Sequence, residues 1–303
     1  MFKSIKIYIA IVLSMIFWSF SFIWTRVAIL SFHPMTLITL RLTLASILLY
    51  MVLKLTKRFQ LIRKGDIKLF LFLALFEPFL YYVGETFGLT LVESTPAAVI
   101  ISTIPLFAPA IAFIFLRERI GWATILGIVL SLIGVFFVIY ERGNGFNANP
   151  VGVALMFMAV FSAIGYATIL KKIPTYYNNM SVIFYQSLFG LIYFIPTFLL
   201  TDFSTIHSIK VSNQSLLALF MLAIFASVIA FVLFAGAVRK VGVTRTNVFV
   251  NLIPVFTAIL SLMILDEVLT MWKWFGIAVV VTGLFVSQWS SYKIGKITSE
   301  DIL

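Results

Sequence analysis

The chain contains no cysteine, which excludes disulfides, iron–sulfur clusters and thiolate metal sites. Histidine occurs only at His33 and His207, both in connecting stretches far apart in sequence, so a His-based metal or haem centre has no ligand set. Charge is scarce: 11% of residues are charged, against roughly 25% in a soluble globular protein. The aspartates, Asp66, Asp202, Asp266 and Asp301, all fall at loops or helix ends, whereas an intramembrane aspartyl protease needs two at bilayer depth. There is no GxxxxGK[ST] stretch, hence no P-loop ATPase. The loop GNGFNANP (143–150) carries Gly143 and Gly145 without a third glycine or a following soluble helix, so it is no dinucleotide site. No Ser/His or Cys/His pair can form within the apolar segments. The expectation is a non-enzyme with no cofactor and no metal.

What is abundant is apolar: 62% of residues are hydrophobic and the mean hydropathy is +1.12. This composition predicts an all-α polytopic membrane protein. A span needs about 20 apolar residues, and ten stretches qualify, near 6–29, 34–53, 69–90, 95–116, 120–140, 150–170, 180–200, 214–237, 244–265 and 271–290. The first follows Lys3 and Lys6, is longer than a signal-peptide core and lacks a small-residue cleavage site, so it is expected to be retained. The connections are too short for a soluble domain. A net charge of +11 would suggest nucleic acid in a soluble chain; here its placement argues for cytoplasmic loops and no nucleic-acid partner. With the N-terminus inside, seventeen Lys and Arg fall on the inner side and four on the outer, Arg26, Arg142, Lys210 and Lys273, with Arg41 inside a span. That bias predicts that both termini are cytoplasmic.

The chain repeats itself. At a constant offset of 149 residues, Thr95 meets Thr244, Ile104 meets Ile253, Pro105 meets Pro254, Phe107 meets Phe256, Glu118 meets Glu267, Gly127 meets Gly276 and Gly134 meets Gly283. A weaker echo pairs HPMTLITLR (33–41) with NNMSVIFYQ (178–186), placing Arg41 opposite Gln186. The expected division is 1–146, spans one to five, and 147–303, spans six to ten. Five spans per half make the second half enter the membrane upside down. Inverted repeats are the plan of many secondary transporters, which hold their ligand near the midplane between the halves.

The third span contains LFEPFLYYVGETFGL (75–89), with two carboxylates, Glu77 and Glu85, at bilayer depth. A charge there costs about 2.5–3.5 kcal/mol even on lenient scales, and normally faces a bundle interior or wet cavity. Glu77, Tyr81 and Glu85 are spaced to share one stripe of a regular helix, and Pro78 can kink it. Arg41 in the second span lies at a depth suited to Glu85, leaving Glu77 deeper and less compensated. A substrate or coupling site and a purely structural ion pair both remain open for these residues. Asn247 and Asn251 share a face of the ninth span, where Ser102 occupies the equivalent of Asn251; they bind a substrate or a neighbouring helix. Pro105 and Pro254 free carbonyls near Ile101 and Val250. Trp18 and Tyr166 occupy similar depths in the first span of each half and can stack on a ligand or simply pack. Glu118 and Glu267, beside Arg117, Arg119 and Lys273, are expected as anchors or gate elements. Gly84-x-x-x-Gly88 is a close-packing motif, expected to act within one molecule.

The ten spans, the twofold occurrence of mid-helix Pro, helix-end Glu and two Gly in the next helix, together with FWSFSFIWTRVA (17–28) and LITLRLTLAS (37–46), resemble the EamA-type branch of the drug/metabolite transporter superfamily. FEPFLYYVGET departs from the common pattern in carrying two Glu. The resemblance implies a secondary transporter acting as a monomer, exporting a small metabolite such as an amino acid or related compound across a bacterial inner membrane. Alternating access, with protons as a second partner at Glu77, is the expected mechanism. A membrane-embedded enzyme using Glu77 and a non-transporting sensor or structural protein are the alternatives.

Overall fold

The computed structural model describes residues 2–107, 121–141, 145–146, 148–170, 172–208, 210–241, 246 and 248–300. Helices dominate: α1 (Phe2–Ala28), α2 (Pro34–Leu55), α3 (Ile67–Ala74), α4 (Tyr81–Leu91), α5 (Ser94–Ile101), α6 (Trp122–Ile139), α7 (Pro150–Leu170), α8 (Asn179–Thr201), α9 (Asn213–Met221), α10 (Ala230–Val241), α11 (Leu252–Ile264) and α12 (Met271–Glu300). Wide π-helical turns, Leu75–Leu80 and Leu222–Ile229, join α3 to α4 and α9 to α10. The one addition to an all-helical reading is small: β1 (Tyr140–Glu141) and β2 (Gly145–Phe146) form an antiparallel ladder of two residues each.

Among the described residues seven segments are long and apolar enough to cross a membrane: Ile5–Ala28, Pro34–Leu55, Lys64–Leu91, Trp122–Ile139, Pro150–Leu170, Asn179–Thr201 and Asn213–Phe234. The remaining three expected spans coincide with shorter apolar helices, Ser94–Phe107, Phe249–Ile264 and Met271–Ser287. Two of these are interrupted at equivalent places. The fourth-span helix breaks into a turn at Ser102 and Thr103 before Pro105, and a 3-10 turn, Val248–Asn251, precedes Pro254. A proline cannot donate to the carbonyl one turn earlier, so the sequence repeat carries the same backbone interruption twice.

Helices α6 and α12 show how the halves meet. A Cβ on Gly127 would lie 2.6 Å from the Gly283 carbonyl oxygen, and one on Gly134 would lie 2.7 Å from that of Gly276. The pairing is crossed: Gly127 and Gly276 are repeat mates, as are Gly134 and Gly283, yet each packs on the other's mate. Rising numbers in α6 meet falling numbers in α12, so the two helices run antiparallel. Between the crossed pairs, the Ser131 hydroxyl donates to the Val280 carbonyl at 3.3 Å, and these two residues are themselves 149 apart. A residue touching its own repeat mate marks the local two-fold axis, as in a self-complementary interface. Antiparallel packing about such an axis is what inverted halves require.

The Gly84/Gly88 motif is spent inside the chain. A Cβ at Gly84 would sit 2.5 Å from the Leu155 carbonyl, and one at Gly88 2.6 Å from the Met156 side chain; α4 therefore lies against α7.

Polar ties then fix the helix ends. At one end the loop before α3 docks on the loop before α8. Gln60 accepts from the Asn178 backbone N–H at 2.6 Å and donates to the Tyr176 carbonyl at 2.9 Å. Tyr176 and Tyr177 both donate to Asp66, and Arg63 covers the Tyr176 ring at 4.0 Å. Donating to Asp66 pushes the Tyr176 hydroxyl's pKa up to about 12, so it remains a donor across the physiological range. At the other end Asp202 accepts from the backbone N–H and hydroxyl of Thr36 at 2.9 and 3.0 Å.

Candidate functional site

The third span is not one continuous helix. Glu77 has φ −141° and ψ 117°, extended backbone inside the Leu75–Leu80 turn. Pro78 supplies no N–H, so the regular ladder cannot pass this point, and a wide turn absorbs the defect, as is common at functional sites. This corrects the single-stripe expectation. Tyr81 and Glu85 do share a helical face in α4, where the Tyr81 hydroxyl donates to Glu85 Oε1 at 3.4 Å. Glu77 lies before α4, in the break itself, and is not on that helical face.

Arg41 enters from α2 and is buried, 4% exposed. Its Nε donates to Ser227 Oγ at 2.8 Å, its Nη1 lies 3.9 Å from Glu85 Oε2, and its guanidinium sits 4.2 Å over the Tyr82 ring. Among the described residues Glu85 Oε2 has no hydrogen-bond partner. At 3.9 Å the pair is electrostatic rather than hydrogen-bonded. Glu77, 8% exposed, makes no side-chain hydrogen bond with a described residue, and lies within electrostatic reach of both Glu85 and Arg41. Tyr166 on α7 donates to Gln186 Oε1 at 3.0 Å and is an electrostatic neighbour of Glu77 and Tyr82. The cluster therefore draws on the second, third, sixth, seventh and eighth apolar segments, from both halves.

Other candidates stand elsewhere. Trp18 packs on Phe231 and Phe234, with ring centroids 5.2 and 4.9 Å away. Ser102 donates within its own turn, to the Val99 carbonyl at 2.7 Å. Asn251 is buried at the end of its 3-10 turn. Asn247 and Glu118 lie outside the described residues. Glu267 is a tie between halves: it accepts from the Ser94 N–H at 2.7 Å, the Thr95 N–H at 3.2 Å and the Thr95 hydroxyl at 2.9 Å. A carboxylate there satisfies orphan donors at the start of α5 and complements the helix dipole. Lys273 pairs not with Glu267 but with Glu93, at 2.6 Å, and donates to the Val268 carbonyl at 2.9 Å.

Sequence reading missed Ser227 and Tyr82, and met Gln186 only as the repeat mate of Arg41. A lone serine in an apolar run carries no signal of its partner. Tyr82 follows Tyr81, and only the helical phase decides which of the two faces Arg41.

The family model described as "EamA-like transporter family" matches residues 5–140 and 150–289. This chain belongs to that family. The EamA-like chain is 28% identical over 252 residues to an uncharacterized transporter of Bacillus subtilis (strain 168), covering 82% of this chain and 76% of that one. It is 27% identical to an uncharacterized transporter of Archaeoglobus fulgidus, covering 93% and 98%. Over 182 residues it is 28% identical to the "Probable amino-acid metabolite efflux pump" of Escherichia coli (strain K12), covering 58% and 60%. A solved crystal structure shares its fold, with a TM-score of 0.61 at 17% identity over 90% of this chain and 97% of that one. Two EamA-like repeats, several membrane-crossing helices and transporter relatives make this a multi-pass membrane transporter of a small molecule. The cluster brings two carboxylates, Glu77 and Glu85, and the Arg41 guanidinium together with Tyr81 and Tyr82 in a buried setting.

Proposed function

We infer that the chain is a secondary transporter that exports a small polar or amphipathic metabolite, of amino-acid or related kind, across a bacterial inner membrane. The observation that carries this reading is the buried Arg41–Glu85–Glu77 cluster drawn from both inverted halves, where transporters of this plan place their ligand. One copy suffices, because the cluster is built within one chain. Alternating access moves the halves, divided near residue 146, about this site, with the Glu267–Thr95 and Asp66–Tyr176 ties at opposite helix ends. The alternative of an enzyme using Glu77 has no metal, nucleophile or cofactor motif in the sequence to support it. Asn247, Asn251, Ser102, Trp18 and Pro105 or Pro254 line or hinge the pathway in this reading, and Glu118 matches Glu267 by repeat position.

Orientation is tested in the Cys-free chain itself. With both termini cytoplasmic, a cysteine replacing Lys210 reacts with an impermeant thiol reagent in intact cells, and one replacing Lys57 reacts only after permeabilisation. Labelling of the Lys57 site in intact cells reverses the orientation.

Coupling is tested at Glu77, whose carboxylate accepts no hydrogen bond from a described residue. Glu77→Gln keeps size and hydrogen bonding but cannot release a proton. In proteoliposomes the wild type is expected to be accelerated by an imposed pH gradient. The Gln variant, folded to the same elution profile, is expected to exchange substrate while losing that acceleration. A Gln variant with the full gradient response removes Glu77 from the coupling role.

A further inference from the structure

The loop between α2 and α3 concentrates charge of one sign. Residues 54–68 hold six cations, Lys54, Lys57, Arg58, Arg63, Lys64 and Lys68, against one carboxylate, Asp66. Asp66 is spent on Tyr176 and Tyr177, while Lys54 lies over the Phe59 ring and Arg63 over that of Tyr176. Lys57, Arg58, Lys64 and Lys68 are exposed and form no salt bridge with a described residue. Two leucines stand among them, Leu55 at 84% and Leu61 at 80% exposure. The depth of the loop follows from α2, which has 22 residues. At 1.5 Å per residue it covers about 33 Å, against a hydrocarbon core of about 30 Å. Its last residue, Leu55, and the loop after it therefore lie at headgroup level.

Two ordinary explanations leave part of this arrangement over. Membrane insertion favours cations on one side, but it is indifferent to their position within the loop. A helix C-terminus attracts cations, which accounts for Lys54 and Lys57 at the end of α2. The start of α3 repels them for the same reason, yet Lys64 and Lys68 stand there. Lys57 is also costly where it is. The Arg58 N–H donates to the Leu53 carbonyl at 2.9 Å and the Lys57 N–H to the Lys54 carbonyl at 3.1 Å. Those are the bonds of a helix end that usually has glycine in the place of Lys57. Lys57 has φ 54°, in the left-handed region that disfavours a side chain. The loop is nonetheless held in one shape. Asn178 Nδ2 donates to the Arg58 carbonyl and the Tyr185 hydroxyl to the Gln60 carbonyl, both at 2.8 Å. The N–H groups of Ile62 and Arg63 donate to the hydroxyls of Tyr185 and Tyr177 at 3.2 and 2.9 Å. A pinned backbone presents its side chains in advance, which lowers the cost of binding.

We propose that this loop docks an anionic phospholipid of the leaflet it faces. The headgroup phosphate is taken by Lys57, Arg58, Lys64 and Lys68, and the acyl carbons lie against Leu55 and Leu61. A phosphodiester supplies the negative charge that these cations lack and suits the start of a helix. A nucleic acid or a soluble phosphate would satisfy the charge alone, with no use for two bare leucines at headgroup depth. The inference needs only that the chain spans a bilayer and is independent of what it transports.

The test uses the full chain in uncharged detergent, with bound lipid counted by native mass spectrometry. Phosphatidylglycerol is expected to bind about ten-fold or more tightly than phosphatidylcholine of the same acyl chains. Removing three cations together, by Lys57→Gly, Lys64→Gln and Lys68→Gln, should weaken phosphatidylglycerol by about ten-fold or more and leave phosphatidylcholine unchanged. Lys57→Gly alone separates binding from folding. Glycine relieves the left-handed backbone, so this variant should melt no lower than wild type without lipid and still bind phosphatidylglycerol more weakly. If it melts lower, the Lys64→Gln/Lys68→Gln pair decides by the same comparison. Lys210→Gln removes one charge in the loop before α9 and should bind as wild type. Equal affinity for the two lipids overturns the proposal, as does a triple variant that binds phosphatidylglycerol like wild type. A loss in Lys210→Gln matching that in Lys57→Gly reduces the effect to net charge and overturns it too. Displacement of the lipid by equimolar glycerol 3-phosphate or by a short oligonucleotide makes the loop a site for soluble anions and refutes a lipid surface.

Discussion

Arg41→Ala and Glu85→Ala are each expected to destabilise the fold by about 3–5 kcal/mol, the range typical when one partner of a buried ion pair is removed. The size follows from burial. Both side chains are 5% exposed and their charges approach to 3.9 Å. At such a separation two unit charges interact by about 4 kcal/mol at the effective dielectric that suits protein sites. Removing Arg41 leaves Glu85 Oε2, which has no hydrogen bond from a described residue, without its counter-charge, and also releases Ser227 and the Tyr82 face. Removing Glu85 leaves a guanidinium held by one hydroxyl and one ring. The double variant strands neither charge on the other's account, so it should be less damaged than the two losses added together. Arg41→Lys is not a rescue, since an ammonium cannot hold the Ser227 bond, the Glu85 approach and the flat stack on Tyr82 at once. Denaturant titration of the four proteins in one detergent measures the cycle. Strict additivity contradicts a coupled pair.

Gly134→Ala is expected to separate α6 from α12, with a loss at or above the roughly 1–3 kcal/mol typical of overpacking. The added methyl would stand 2.7 Å from both the Gly276 carbonyl and the Val280 backbone N, and 2.6 Å from a Val280 methyl. Two of the three obstacles are backbone, so no rotamer change relieves them and the helices must move apart. Gly276→Ala meets the Gly134 carbonyl at 2.6 Å and should do similar harm. Gly236 in α10 has nothing within 4 Å of an added Cβ, and there Gly→Ala should stabilise by about 0.5–1 kcal/mol through helix propensity alone. The same substitution thus changes sign with position. Melting temperature and the monodisperse fraction after extraction read the difference. A Gly134→Ala protein as stable as wild type means α6 and α12 do not pack through their glycines.

The two experiments address different parts of one mechanism. The α6–α12 seam is glycine on glycine, a close fit that resists sliding. The candidate site sits where helices are interrupted, at Glu77 and in the Leu222–Ile229 turn that carries Ser227. Interrupted backbone at membrane depth is tolerated only where protein or a cavity covers it. In the transport reading the seam holds the halves in register and the breaks supply the movement.

Much of this was legible in the chain itself. Apolar runs of bilayer length placed the helices, because a helix satisfies its own backbone in lipid and needs about 20 such residues to cross it. The offset of 149 identified the halves, and an odd number of spans per half implied their inversion before the crossed glycines displayed an antiparallel seam. The depth of Arg41 and Glu85 made them candidates for each other, and the two lie together. Tertiary structure alone decided the rest. A regular helix would have aligned Glu77 with Tyr81 and Glu85, but hydropathy does not report that Pro78 leaves a turn extended there. Repeat mates announce that Gly127 and Gly276 are equivalent, yet only docking reveals that each packs on the other's equivalent. Ser227, Tyr82 and Gln186 are ordinary residues in their own helices, and they become part of the site because helix rotation points them at Arg41 and Tyr166. Lys273 is near Glu267 in sequence but reaches Glu93, since Glu267 is taken by the start of α5. Span and repeat are written in the order of residues along the chain, whereas the partner of a buried polar group is set by which faces meet across helices.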